Sequence, residues 1–379
     1  MYSRSFKGEK LIMKLTIEQV EAIAKAYVAS NKLSNSSFTE THDNIVGLLD
    51  KIGKITTKDF DYEDKLLFMD GEDLPLGKTI EEWFEDLTLP EEYDSTGAGA
   101  LSPHYPTYRK PYYSYTLGRK KFPKSIPNNN IERAVNNTNE AISIVTSIYS
   151  KLENSERVWR YSVKREILGK LIAQCESAMA TKTVFSKATA YEVDTLLKGD
   201  SGVGIVVKPY KANDATDWAN AIEKGYIVPL DLVTTIAKPT DEASGEAFIE
   251  AVKKDEEIAS DISEGHSLSG NTLGRSPSGM ILIVKQGVMP NIEVKTLAGA
   301  FNKDEVAFPV KVIRVKDFGS ANSKVFAMLI DERGARLHNS YRAIRENLNG
   351  DGDFLNVFKH SEDTGYISRN TFVRVYEEE

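Results

Sequence analysis

The residues able to do chemistry in this chain are few and scattered. Its five histidines, His42, His104, His266, His338 and His360, include no pair at metal-ligand spacing, so neither a metal site nor a general base is expected of them. Cys175 is the only cysteine, which excludes an intramolecular disulfide. It falls on the apolar face of a helical pattern, with no histidine pattern to activate it, and reads as a packed thiol. Gly199-Asp-Ser-Gly-Val-Gly204 has the glycines of a phosphate cradle but lacks the following Gly-Lys-Ser/Thr and the strand-to-helix context, so a turn before a strand is expected. Asn347-Leu-Asn-Gly-Asp-Gly-Asp353 alternates oxygen ligands around a central glycine, as a calcium loop does. Its twelfth position is Phe358 where a bidentate Glu is required, and the expectation is a β-turn. Catalytic, cofactor-binding and metal residues are therefore expected to be absent, and the chain is not expected to be an enzyme.

The elements are more informative than the reactive groups. A chain of 379 residues is long enough for two or three structural units. A net charge of −8 argues against general nucleic-acid binding, which needs a basic face to replace phosphate counterions. That charge suits a protein that surrounds DNA without gripping it. Lone Cys175 suits a reducing compartment. No apolar run reaches the length needed to span a bilayer, so no membrane partner is expected, and the first dozen residues do not read as a secretory signal. Met13 opens a clean amphipathic segment and reads as the start, preceded by an upstream extension.

The segment 72–124 organises the rest. Its outgoing flank includes Ile80, Trp83, Phe84 and Leu87, its tip is Ser95-Thr-Gly-Ala-Gly-Ala-Leu-Ser-Pro103, and its return flank is Tyr- and Pro-rich up to Lys124. Flanks rich in β-branched and aromatic residues around a glycine tip predict a two-stranded ribbon, on the order of 60 Å long at about 3.3 Å per residue. A lone ribbon is not stable in water. Pro103, Pro106, Pro111 and Pro123 keep the return arm at an edge. The surface that buries it is expected to belong to another copy of the chain.

Elsewhere, helical periodicity predicts helices at 15–30, 44–52, 131–152, 154–180, 190–198, 217–225, 240–263 and 291–302. The run 31–44 reads as a linker and 54–69 as extended. In the pair 131–180, Asn154-Ser155-Glu156 reads as the cap of a second helix. Tyr161, Leu168, Leu171, Ile172, Cys175 and Met179 form its apolar face, and Arg160 and Lys164 lie elsewhere. In 240–263 the apolar face is Phe248, Ala251, Val252, Ile258 and Ile262. Strands are expected at 204–209, 280–285, 309–316, 324–331, 333–338, 354–360 and 369–376, residues 230–236 fit helix or strand, and the Gly/Ser-rich stretch 265–279 reads as a mobile surface loop.

Three stretches carry a resemblance. They are Leu74-Pro-Leu-Gly-Lys-Thr-Ile-Glu-Glu-Trp83, the paired helices across 131–180, and the series from Met280-Ile-Leu-Ile-Val through Val294-Lys-Thr-Leu-Ala-Gly-Ala-Phe301 and Val310-Lys-Val-Ile-Arg314 to Lys324-Val-Phe-Ala-Met-Leu-Ile-Asp331. In this order the chain resembles the major capsid proteins of tailed phages with the HK97-type fold, closest to those of short-tailed phages of the phi29 type. The resemblance implies an α+β subunit with an N-terminal arm (1–64), an extended β-hairpin loop (65–126), a peripheral domain with a spine helix (127–212 and 310–379) and an axial domain (213–309). The immunoglobulin-like domain that some relatives append is not expected here. It further implies self-assembly into pentamers and hexamers of an icosahedral or prolate shell around phage double-stranded DNA, without sequence-specific binding. Assembly would occur in the host bacterial cytoplasm, with a scaffolding protein and a portal as partners.

On that reading the ribbon clamps a neighbouring subunit. Trp83, Phe84, Tyr105, Tyr108, Tyr112, Tyr113 and Tyr115 are the candidate interface anchors, and the basic return arm, with Arg109 and Arg119, is expected to pair either with the acidic outgoing arm, with Glu81, Glu82 and Glu85, or with complementary neighbours. Lys78 and Lys110 lie in the loop, but spacing nominates no covalent cross-link. An encapsulin-like nanocompartment shell is the alternative within the fold. A soluble hydrolase or transferase would leave the ribbon unexplained.

Overall fold

The structure is a computed structural model that describes residues 62–74, 80–82, 84–85, 87, 108–109, 114–127, 138–276, 279–290, 308–352 and 354–379. The expected helices at 15–30, 44–52 and 291–302, the linker 31–44, Met13, the ribbon tip, Lys78, Lys110, His42 and His104 lie outside the described residues.

The longest element is helix α1, Thr138–Met179, whose 42 residues span about 63 Å at 1.5 Å per residue. Two helices were expected where one runs through. The anticipated cap does not form because the Ser155 hydroxyl donates back to the Lys151 carbonyl at 2.8 Å, and Asn154 and Glu156 are buried as helical residues. Leu168, Leu171, Ile172 and Cys175 form the buried stripe, as the periodicity predicts. Burial pushes the Cys175 thiol pKa far up, which keeps it protonated and inert.

Two sheets and a satellite pack around α1. The first is a five-stranded sheet ordered β7-β13-β10-β8-β9, built from β7 (Val233–Ile236), β8 (Met280–Lys285), β9 (Lys311–Val315), β10 (Val325–Asp331) and β13 (Val373–Glu378). Every residue of β10 is buried, because the sheet is covered on both faces. Met328 and Ile330 face the stripe of α1. Phe326 and Leu329 face Phe248 and Val252 of helix α3 (Glu242–Ala259). Asp241 caps α3 reciprocally with Ser244. The sequence continued the apolar face of α3 to Ile262, but the helix ends at Ala259 and Ile262 is 76% exposed. The sheet draws strands from both sides of position 309.

The second sheet has three strands ordered β11-β12-β3, with β3 at Ser114–Pro127, β11 at Ala335–Asn349 and β12 at Phe354–Ile367. Pro123 and Pro127 lie in β3, and an edge strand is where a missing amide donor is tolerated. In the β11–β12 turn the Asn349 side chain accepts from the amides of Asp351 and Gly352, both at 3.0 Å, so the calcium-like stretch is a turn.

The satellite comprises β4 (Leu196–Gly199), β5 (Gly202–Val206), β6 (Ile227–Pro229) and helix α2 (Trp218–Glu223), around Phe185, Tyr191, Tyr210 and Trp218. The helix expected at 190–198 is absent there. Asp194 sits at φ 67°, in the left-handed region, which stops helical propagation and turns the chain into β4. The phosphate-loop mimic is the β4–β5 hairpin turn, closed by the pair Gly199–Gly202, with Ser201 accepting from the Trp218 indole at 3.0 Å.

The stretch expected to be a mobile loop is instead buried from 265 to 271. Its serines and asparagine satisfy backbone crossing the interior: Ser269 Oγ donates to the Arg369 carbonyl at 2.9 Å, and Asn271 Nδ2 to Asn370 Oδ1 at 2.6 Å. A side chain at Gly265 would strike the Pro229 carbonyl. Residues 67–69, expected to be extended, form a 3-10 turn, and the Asp64 carboxylate accepts the Leu66 amide at 2.9 Å.

Where β13 meets the end of α1, burial pushes the Glu377 pKa up to about 7, helped by a hydrogen bond with Glu176 and its charge. The folded chain therefore holds a proton there that the unfolded chain has released above the usual carboxylate range. This contribution is fully present below about pH 4.5 and is lost as pH rises towards about 7. Glu377→Gln should flatten that part of the stability profile, measured as urea midpoints at several pH values. An unchanged slope would remove Glu377 as its source.

Candidate functional site

The middle of α1 carries Glu153, Glu156, Arg160 and Lys164, spaced three, four and four residues apart and therefore on one helix face. This face presses on the three-stranded sheet and on the segment 64–70, and it meets complementary charge along its length. Lys359 reaches Glu153 at 2.6 Å and Glu156 at 2.5 Å, while Arg342 reaches Glu156 at 3.3 Å. One turn on, Arg160 bridges Asp363 at 2.7 Å and Asp70 at 2.6 Å. A further turn on, Lys164, with 0% of its side chain exposed, bridges Asp64 at 2.5 Å and Asp70 at 3.0 Å.

Electrostatics separate the acids of this seam. Burial raises the carboxyl pKa of Asp70, but Lys164 and Arg160 more than offset it and hold it below the usual range. Glu156 behaves alike, with burial outweighed by Lys359 and Arg342. At Asp363 burial wins over Arg160, and the carboxyl sits above its usual range although Asn339 Nδ2 donates to it at 2.9 Å. Each of these charged groups meets an opposite charge within 3.3 Å. The geometry of the network fixes where the chain leaving residue 64 goes.

That chain is the base of the ribbon. The Gly71 amide donates to the Leu337 carbonyl at 3.1 Å, the Leu74 amide to the Asn339 carbonyl at 2.8 Å, and His338 Nδ1 lies 2.8 Å from the Glu72 carbonyl. The Glu82 carboxylate accepts from Ser368 Oγ at 2.5 Å and from the Arg369 amide at 3.2 Å. Just beyond this anchor β1 (Phe84–Glu85) pairs antiparallel with β2 (Tyr108–Arg109), Phe84 opposite Arg109 and Glu85 opposite Tyr108. Outgoing and return arms therefore meet as a two-stranded ribbon at its base.

The structure thus brings Phe84, Tyr108 and Arg109 together. Tyr115 and Arg119 belong to β3, and the ribbon is shorter than expected because 114–124 joins a sheet of its own chain. Tyr115 pairs with Gly365 in register. The Arg119 guanidinium lies 4.1 Å over the Tyr341 ring and 3.2 Å from the Glu362 carboxylate, with its side chain still 54% exposed. Trp83, Tyr105, Tyr112 and Tyr113 lie outside the described residues. Sequence reasoning left Arg160 and Lys164 off the packed face of α1. The spacing of the four charges was the available signal, but it reads equally as a solvated face. Among the described residues no helix is long and apolar enough to cross a membrane.

A family model described as Phi29-like phage major capsid protein matches residues 10–375. Three solved structures share the fold. The capsid structure of Staphylococcus phage Andhra has a TM-score of 0.58 at 12% identity, covering 86% of this chain and 87% of that one. A chain in the structure of the head fiber and inner core protein gp22 of native bacteriophage P68 has a TM-score of 0.54 at 12% identity, covering 86% and 87%. The capsid structure of the cyanophage P-SCSP1u has a TM-score of 0.51 at 6% identity, covering 86% and 91%. No curated protein matches the chain.

Proposed function

The chain belongs to the Phi29-like phage major capsid protein family, and from that premise we propose how its fold builds a shell. It is a capsid shell subunit of the HK97-like fold that assembles with copies of itself into the virion. The encapsulin alternative has nothing comparable in its favour.

The observation that carries the mechanism is the paired ribbon base at Phe84–Glu85 and Tyr108–Arg109, pinned to its own subunit by Glu82 and by the charged seam of α1. A ribbon held rigidly at its root and rich in aromatics further out is suited to lie across the next subunit in pentamers and hexamers. Trp83, Phe84, Tyr105, Tyr108, Tyr112 and Tyr113 supply the apolar contact area. Arg109 sets register rather than affinity, since an exposed ion pair contributes only about 0 to 1 kcal/mol.

The peripheral unit of this reading combines α1 with the three-stranded sheet and with β4 and β5 of the satellite, and the axial unit contains α2, α3 and β6. The five-stranded sheet spans both segments assigned to them. The shell encloses phage double-stranded DNA without sequence-specific contacts, is built in the host bacterial cytoplasm, and works with a scaffolding protein and a portal. The subunit catalyses no reaction.

Recombinant full-length protein should run on size exclusion as capsomer rings or megadalton particles, with closed shells visible by negative-stain microscopy when the scaffold is supplied. A stable monomer with hydrolase or transferase turnover would overturn the reading.

A further inference from the structure

The basic run Arg119-Lys-Lys-Phe-Pro-Lys124 lies in β3 and not in the ribbon, so pairing between the ribbon arms does not account for it. Among the described residues β3 is the edge of its sheet, has no acid from 114 to 127, and exposes Arg119, Lys120, Lys121 and Lys124. Two of these cations have neighbours in their own chain: Arg119 meets Glu362 at 3.2 Å, and Lys121 lies 5.1 Å over the Phe358 ring. Strand alternation puts Lys120 and Lys124 on the opposite face from Lys121, either side of Phe122. Phe122 packs edge-on against Trp159 of α1 with ring centroids 6.0 Å apart. The patch is therefore two lysines about 13 Å apart, at about 3.3 Å per residue, with a half-buried aromatic pair between them.

The outer face of α3 is complementary to it. Phe248, Ile249 and Val252 turn inward, which leaves Glu242, Glu246 and Glu250, four residues apart, as an exposed stripe beside Ala243 and Ala247. These three carboxylates span about 12 Å at 1.5 Å per residue. We propose that the β3 edge of one copy docks on this face of α3 in the next copy, Lys120 and Lys124 meeting the glutamates and the Phe122–Trp159 pair settling over the small alanines. Within one chain the two patches belong to different sheets, α3 covering the five-stranded one, and two distinct surfaces are what a head-to-tail ring contact requires. Pro123 and Pro127 offer no amide and lysines guard the edge, so the contact is made by side chains and not by an added strand. At the ribbon root, the rival acid Glu82 is already engaged by Ser368 Oγ and the Arg369 amide. The contact rests on the shell reading, since it joins two copies, and its charges set partner choice and register.

The test reverses charge on the full-length protein: Lys120→Glu/Lys124→Glu on the strand, Glu246→Lys/Glu250→Lys on the helix, all four together, and a Lys208→Glu/Lys211→Glu control on the satellite. All six residues are exposed, so unfolding midpoints should match the parent. If a reversal lowers the midpoint, Lys120→Gln/Lys124→Gln, which removes charge without repulsion, carries the test. Assembly is followed by light scattering where the parent forms rings or shells. Each one-sided reversal should raise the protein concentration needed for assembly about tenfold or more, the fourfold swap should restore most of it, and the control should change nothing. A strand reversal that assembles like the parent would overturn the contact and leave the shell reading standing, whereas a parent that stays monomeric removes both. Failure of the fourfold swap to rescue would also overturn it. Rescue by Glu91→Lys/Glu92→Lys instead would hand the strand to the neighbour's ribbon. Loss of binding to a short DNA duplex with assembly intact would hand it to nucleic acid.

Discussion

Replacing Lys164 with Met is expected to lower the stability of the folded subunit by about 3–5 kcal/mol, the cost of leaving a buried charge without its partner. The Lys164 side chain is fully buried, and its ammonium is 2.5 Å from Asp64, whose own side chain is only 7% exposed. Asp70 would keep Arg160 at 2.6 Å and some water, since its side chain is 35% exposed. Asp64 would keep only the Leu66 amide among the described contacts. The loss therefore falls on Asp64, and the segment 62–70 should open before the rest of the fold. Urea unfolding followed by circular dichroism gives the magnitude, and hydrogen exchange should show faster exchange at 66–74. Lys164→Met with Asp64→Leu removes both charges at similar volume and should recover most of the loss. A single variant within about 1 kcal/mol of the parent would mean the seam is not what holds the ribbon root. Being buried, the pair should also resist added salt, which screens exposed pairs far more.

Trp83→Ala with Tyr113→Ala is expected to leave a folded subunit that no longer closes shells. Aromatic residues at the centre of an interface typically contribute about 2 kcal/mol or more each, and a shell repeats every contact around each ring, so a modest loss per subunit becomes a large one per particle. Removing the tip, residues 97–103, should act in the same direction by shortening the reach of the ribbon. The variant should retain the circular dichroism spectrum and unfolding midpoint of the parent, because on the proposed reading both aromatics bury against a neighbouring copy rather than in their own subunit. Negative-stain microscopy reads the outcome: open sheets, isolated rings or unassembled protein are expected. Normal closed shells from the double variant would take the ribbon out of the clamp role, while a lost unfolding transition would assign these aromatics to the fold of their own chain. The Lys164 and ribbon experiments separate two causes of failed assembly. One loosens the root of the ribbon and costs stability, the other strips its contact surface and costs none.

Where apolar residues pack against apolar residues nearby in pattern, the chain was legible on its own. Helix α3, the stripe Leu168, Leu171, Ile172 and Cys175, the runs at β8 and β10, and the turns at 199–202 and 349–352 all follow from period and turn chemistry. The quoted motifs also carried the family. Tertiary structure alone decided the continuity of α1 through Asn154 and Ser155, the burial of 265–271, the placement of β3 in a sheet of its own chain, and the charged seam. For the buried stretch 265–271 and the charged seam the reason is the same. Polar side chains report burial only through their partners, and those partners are distant: Arg160 and Asp363 stand 203 residues apart, and Ser269 and Asn370 stand 101 apart. A local pattern of charge or serine looks the same whether water or a remote strand satisfies it.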